Sequence, residues 1–74
     1  MTIHDPDLGK RHDGVPAITI AEFDEDTPRN RRRMRHLIAA HGYPVVQRGR
    51  LIWTFDDWRM RWRRGERVES GSAE

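Results

Sequence analysis

Cysteine is absent from the 74 residues, lysine occurs once, and no apolar run approaches the ~20 residues of a membrane span. Without cysteine there is no disulfide framework and no thiolate metal site, so a reducing cytosol is the expected compartment. No apolar stretch of signal-peptide type follows Met1, and the expectation is a chain that is neither secreted nor inserted in a membrane. Hydrophobic residues make up 35% of the chain, the same share as charged ones. That supply is marginal for a core at this length, and one small domain is the most it can build. The shortage of lysine is as informative, because the 14 basic residues are otherwise all arginine. The planar guanidinium fork suits phosphates, guanine edges and carboxylates better than lysine does.

The net charge of +2 conceals a segregated distribution. Residues 1–28 set Lys10 and Arg11 against seven acids, a balance of −5; residues 29–67 set twelve arginines against Asp56, Asp57 and Glu66, a balance of +9; Glu69 and Glu74 add −2. The second half therefore points to a polyanionic partner, the alternative being a solvated arginine surface partly neutralised by the acidic segment. Most hydrophobic residues lie between Val15 and Trp62, which predicts a folded unit over 15–65. The lead 1–14 and the tail 66–74 are small or polar without periodicity and are expected to be flexible.

Thr19 and Glu22 have capping-box spacing, with Ile18 and Phe23 as a hydrophobic staple, so a short first helix is expected from Ile20, fraying at the acidic run Asp24-Glu25-Asp26. Thr27 as N-cap, Pro28 at the first helical position and Gly42 past the end predict a second helix over Pro28–His41. Met34, Leu37, Ile38 and His41 form its apolar face; Arg29, Arg32, Arg35 and His36 stand opposite, with Arg33 on one flank and Asn30 and Arg31 at the margins. Four arginines between Arg29 and Arg33 load the positive end of the helix dipole, a local cost that an anion there would relieve. Val45 to Trp53 reads as a hairpin turning at Gly49, with Arg48 and Arg50 at its tip. Thr54 and Asp57 suggest a second capping box, opening a third helix that Gly65 ends. Its Phe55, Trp58 and Trp62 are expected to form one core face, joined by Tyr43 and Trp53.

The stretches Thr19–Phe23, Arg33–Ile52 and Phe55–Trp58 resemble the small winged helix-turn-helix proteins of the phage excisionase family, relatives of the MerR-type DNA-binding domain. The resemblance covers about two thirds of the chain. It implies an α+β fold of helix, helix, β-hairpin wing and helix. It also implies a sequence-specific protein that bends double-stranded DNA and steers an integrase toward excision, or regulates transcription, with further copies bound side by side as possible partners. Carried over by position, Arg29, Asn30, Arg32 and Arg33 would face the major groove. Arg48, Gly49 and Arg50 would form the wing contact to backbone or minor groove. Where the family usually has a small apolar turn between the first two helices, this chain has Asp24-Glu25-Asp26-Thr27-Pro28.

Near the helix start, arginine paired to guanine supplies about 1–3 kcal/mol of discrimination, whereas Arg35, with His36 on the same face, and the third-helix arginines fit phosphates. About six phosphate contacts give a log–log salt slope near −5. For Arg31 and Arg35, pairing with Asp24, Glu25 or Asp26 competes with DNA, and Arg59, Arg61, Arg63 and Arg64 read first as solvated charges suited to a helix C-terminus. No metal site is expected, since His36 and His41 are five apart and His4 and His12 lie in the lead; His41 reads as partly buried at its helix end. No nucleophile, base and orienting group come together, so neither an enzyme nor a cofactor is expected. A protein-binding module or inhibitor on the same scaffold is the competing function.

Overall fold

The computed structural model describes residues 8–68. Its elements in chain order are β1 (Arg11–Asp13), α1 (Gly14–Phe23), α2 (Pro28–Ala40), β2 (Val46–Arg48), β3 (Leu51–Phe55) and α3 (Asp56–Arg63). The strands form one antiparallel sheet in the order β1-β3-β2, with β3 central. This is a small α+β domain of winged-helix type, in which the expected helix, helix, hairpin and helix are joined by a leading strand.

That strand corrects the expected flexible lead over 1–14, of which residues 1–7 lie outside the described residues. Arg11, His12 and Asp13 pair with Phe55, Thr54 and Trp53, and His12 Nε2 lies 2.7 Å from Asp56 Oδ1. The tail residues 66–68 have no regular structure, and 69–74 lie outside the described residues.

The first helix begins at Gly14 and not at Ile20. Thr19 is no cap. It is fully buried inside the helix, and its hydroxyl donates to the Val15 carbonyl one turn back at 2.6 Å. Pro16 sits in the first turn, where its missing N–H costs nothing. An apolar stripe does not mark α1 because the helix packs against α2 and also against β1 and β3, so most of its surface meets protein. Asp24 ends it in the left-handed region (φ 72°), which a short polar side chain tolerates.

The second helix ends one residue before the expected His41. Thr27 Oγ1 accepts the Asn30 N–H at 3.1 Å, Pro28 fills the first position, and Gly42 (φ 71°) turns the chain away. His41 is exposed at that end and not partly buried, because the chain reverses at Gly42 before the core is reached. In the hairpin Arg48 faces Leu51, leaving Gly49-Arg50 as a two-residue loop. Gly49 alone has positive φ there (58°), as a type II′ turn requires.

The third helix is not capped by Thr54 either. Thr54 is fully buried at the end of β3 and donates to the Pro44 carbonyl at 2.7 Å, while Asp56 N–H donates to the Lys10 carbonyl at 2.9 Å. Ile18, Met34, Tyr43 and Val45 form the core, with Phe23, Leu37, Ile38, Ile52 and Trp62 packed on it. The aromatic face expected of Phe55, Trp58 and Trp62 is split. Trp62 meets Tyr43 edge to face at 5.0 Å, whereas Phe55 and Trp58 pair with each other at 4.9 Å. Phe55 and Trp53 alternate with core-facing Ile52 and Thr54 along β3, so they lie on the opposite sheet face, where Arg11 covers the Trp53 ring at 4.4 Å. Among the described residues no helix is long and apolar enough to cross a membrane.

Asp56 links β1, α3 and the loop before β1. Partial burial opposes its ionisation, but hydrogen bonds from His12 and Arg59 outweigh that and hold the carboxyl below its ordinary 3.8. A carboxyl lowered by folding contributes stability above its unfolded value, and the contribution is lost as pH falls through the folded value. Asp56→Asn should therefore lower Tm at neutral pH, with the gap to wild type closing on acidification below about 3.8; a gap unchanged down to strong acid would refute this role. Thr54→Val should cost about 1–3 kcal/mol in urea unfolding, by leaving the buried Pro44 carbonyl without its donor.

Candidate nucleic-acid interface

The thirteen arginines fall into two groups, separated by where the acids lie. Arg11, Arg31, Arg59, Arg61, Arg63 and Arg64 are ion-paired. Among the described residues, Arg29, Arg32, Arg33, Arg35, Arg48, Arg50 and Arg67 make no salt bridge. All of these but Arg67 belong to α2 or to the hairpin tip.

The third-helix arginines are the clearest departure from expectation. Arg59, 13% exposed, donates to Glu22 Oε2 at 3.1 Å, to Asp56 Oδ1 at 2.6 Å and to the Ala21 carbonyl at 2.6 Å. Arg63 reaches the other oxygen of Glu22 at 3.2 Å and also its carbonyl, and the Tyr43 hydroxyl donates to Glu22 at 2.6 Å. Arg59 is thus a brace between α3 and the end of α1 and not a solvated charge, because α3 crosses a nearly buried carboxylate, and Arg63 reaches the same carboxylate from an exposed position. Burial of Tyr43 and its bond to the charged Glu22 push the phenol far above its ordinary value, so it stays a donor. Arg61 pairs with Asp57 at 3.1 Å and Arg64 with Glu66 at 2.9 Å, both at the surface.

Along α2 the candidate residues have different surroundings. Arg29, Arg32, Arg35 and His36 are exposed, and the ring of His36 meets that of His41 edge to face at 5.0 Å. The two histidines thus do meet, since His41 lies just past the helix and not on its regular spiral. Arg33 lays its guanidinium over the Phe23 ring at 4.9 Å. Asn30 is half-buried and donates to the Glu25 carbonyl at 3.1 Å, which engages it with the linker. Arg31 grips Asp26 with two parallel hydrogen bonds, which hold that carboxyl below its ordinary value. Asp24 and Glu25 take no arginine, so the acidic linker engages one guanidinium, and among the described residues Arg35 has no acid.

The hairpin tip carries Arg48 and Arg50, both exposed, around Gly49, whose backbone has open space on its side-chain side. Among the described residues no three histidine or acidic side chains converge as metal ligands would. Two roles escaped the sequence reading. The buried position of Glu22 is hidden by its capping-box spacing, and the Arg33–Phe23 stack depends on how α1 meets α2.

Comparison of the chain with protein-family models, with curated proteins and with solved structures gives no match. Glu22→Ala should cost about 1–3 kcal/mol in urea unfolding, because it leaves the buried Tyr43 hydroxyl without its acceptor and Arg59 with Asp56 as its remaining acid. Arg63→Ala, at a side chain 53% exposed, should cost less than about 1 kcal/mol.

Proposed function

We propose that the chain binds double-stranded DNA through α2 and the β2–β3 hairpin, as an excisionase-like architectural factor or a small transcriptional regulator. One observation carries this reading: among the described residues, six of the seven arginines without an ion pair belong to those two elements, while those of α3 are all paired to acids. A structural role would engage its guanidiniums as α3 does. Guanidiniums held without acids on one helix and one turn offer what a phosphate backbone attracts and what a guanine edge accepts. The first turn of α2 contains no acid, so its N–H groups and Arg29 and Arg32 favour an anion at that end.

The surroundings of each residue refine its role. Arg29 and Arg32 are the base-reading candidates, Arg35 and His36 fit phosphates, and Arg48 and Arg50 on either side of Gly49 form the wing contact. Asn30 and Arg33 are already engaged within the domain and serve to fix α2. The backbone contacts assigned from sequence to α3 pass to Arg35 and the wing.

Fluorescence anisotropy against duplexes selected from a randomised pool tests this reading. Affinity should fall with salt at a slope near −5 for about six phosphate contacts. Arg32→Ala should cost about 1–3 kcal/mol and relax discrimination at one base position. Arg35→Ala should weaken all duplexes evenly and reduce the slope by about 1, and Arg61→Ala should change neither. No binding at low salt, or binding indifferent to salt, overturns the proposal.

A further inference from the structure

Beside the arginines of α2 lies a cleft of about 630 Å³ that DNA does not explain. Phe23, Leu37 and Trp62 supply its apolar lining, each a partly buried side chain packed on the core. Arg32, Arg33 and His36 line it too, and neither arginine has a salt bridge among the described residues. Glu22 is its one acid, but that side chain is 5% exposed and already accepts from Tyr43, Arg59 and Arg63. The cleft therefore joins an apolar lining to cationic groups with no carboxylate left to repel an anion. A duplex can satisfy guanidiniums but has little to place against an indole, a phenyl ring and a leucine. A polypeptide segment with apolar anchors among acidic residues satisfies both.

We infer that this cleft docks an acidic, apolar-anchored peptide segment of a partner protein, and that, because Arg32 and His36 also belong to the proposed DNA face, docking and DNA binding exclude one another. The docking half stands on the cleft alone; the exclusion half rests on the DNA reading. A second copy of this chain is a poor occupant, because its own exposed helix face would bring α2 arginines against α2 arginines. The expected ligand presents Leu or Phe at helical or extended spacing with glutamates or aspartates flanking them.

The test is a titration of the isotope-labelled full chain, read at the three tryptophan indole N–H signals. Trp62 lines the cleft, whereas Trp53 and Trp58 do not and serve as internal controls. The probe is a short synthetic peptide of glutamates with leucine and phenylalanine at helical spacing; its control replaces the apolar residues with serine. The first peptide should shift Trp62 selectively, and the serine control should bind at least about tenfold more weakly, as expected for losing one buried apolar side chain. Arg32→Glu, at an exposed position, should abolish the shift without unfolding the domain. Equal binding of the serine control would show a surface that reads charge alone, as a nucleic acid backbone would, and would overturn the docking proposal. So would shifts confined to Trp53 or Trp58, or self-association as the only response. In a second arm the peptide should displace a bound duplex. Peptide and duplex bound together would overturn the exclusion, and failure of every duplex to bind would remove the DNA reading while leaving the docking result intact.

Discussion

The carboxylate of Glu22 is the constraint on which the remaining architecture turns. It sits one residue before the end of α1, almost out of solvent, and takes hydrogen bonds from Tyr43, Arg59 and Arg63. Tyr43 follows the loop that leaves α2, and both arginines lie on α3, so one acid ties together three parts of the chain. An isolated buried carboxylate would be strongly destabilising, and it is chiefly the two less exposed donors, Tyr43 and Arg59, that satisfy it, with Arg63 adding a weaker contact from the surface. The dependence runs both ways, since α3 contributes no fully buried residue and is held to the rest of the domain through Trp62, this network and the bonds of Asp56 to His12 and Lys10. A chain with so few apolar residues closes its fold with guanidiniums where a larger one would use leucines.

That use of arginine explains why composition alone misleads here. A guanidinium paired inside a domain and one offered to a polyanion are the same residue in the sequence, and only the position of acids in space distinguishes them. Spacing on α3 is favourable to the helix dipole, which invites the reading of a solvated basic helix. The fold instead brings Glu22 under that helix from more than thirty positions away. On α2 the opposite holds: its nearby acids precede it in the linker, and the geometry of that linker lets one of them, Asp26, reach a guanidinium.

What was legible in the sequence was what local chemistry decides. Thr27, Pro28 and Gly42 specify the bounds of α2 with side-chain and backbone preferences that act within a few residues. Gly49 between two β-prone runs specifies the hairpin in the same way. The arginines of those two elements that make no ion pair among the described residues therefore stand on elements that local chemistry specifies. What was hidden depends on pairing across the fold. Arg11-His12-Asp13 has no strand pattern of its own and becomes β1 only by pairing with β3. Thr19 and Thr54 have cap spacing but are fully buried, each donating to a carbonyl, because the helix and the strand that contain them are covered by neighbours. Phe55, Trp58 and Trp62 keep helical spacing, yet Phe55 ends a strand, so the stripe breaks at the junction of two periods. The same limit applied to Asn30 and Arg33, whose partners Glu25 and Phe23 are set by the angle between α1 and α2.

The acidic linker can now be understood physically. Asp24 supplies the left-handed residue that ends α1, Glu25 lends its carbonyl to Asn30, and Asp26 holds Arg31. Together they fix the start of α2 relative to the end of α1, which is the angle a helix-turn-helix depends on. Their charge also acts on the helix end directly. Arginines crowded at the positive end of a helix dipole destabilise it, and carboxylates just before that end offset the effect. The offset is local, however, and among the described residues only Arg31 is ion-paired by it, so Arg29, Arg32 and Arg35 remain without an acid. Negative charge in the linker then works against loose, non-specific approach of any polyanion from that side, because like charges repel over about a Debye length of 8 Å. On the proposed DNA reading, an arrangement of this kind would favour a partner that meets the guanidiniums at their own positions over one attracted by bulk charge, and the segregated charge of the sequence would then serve selectivity as well as attraction.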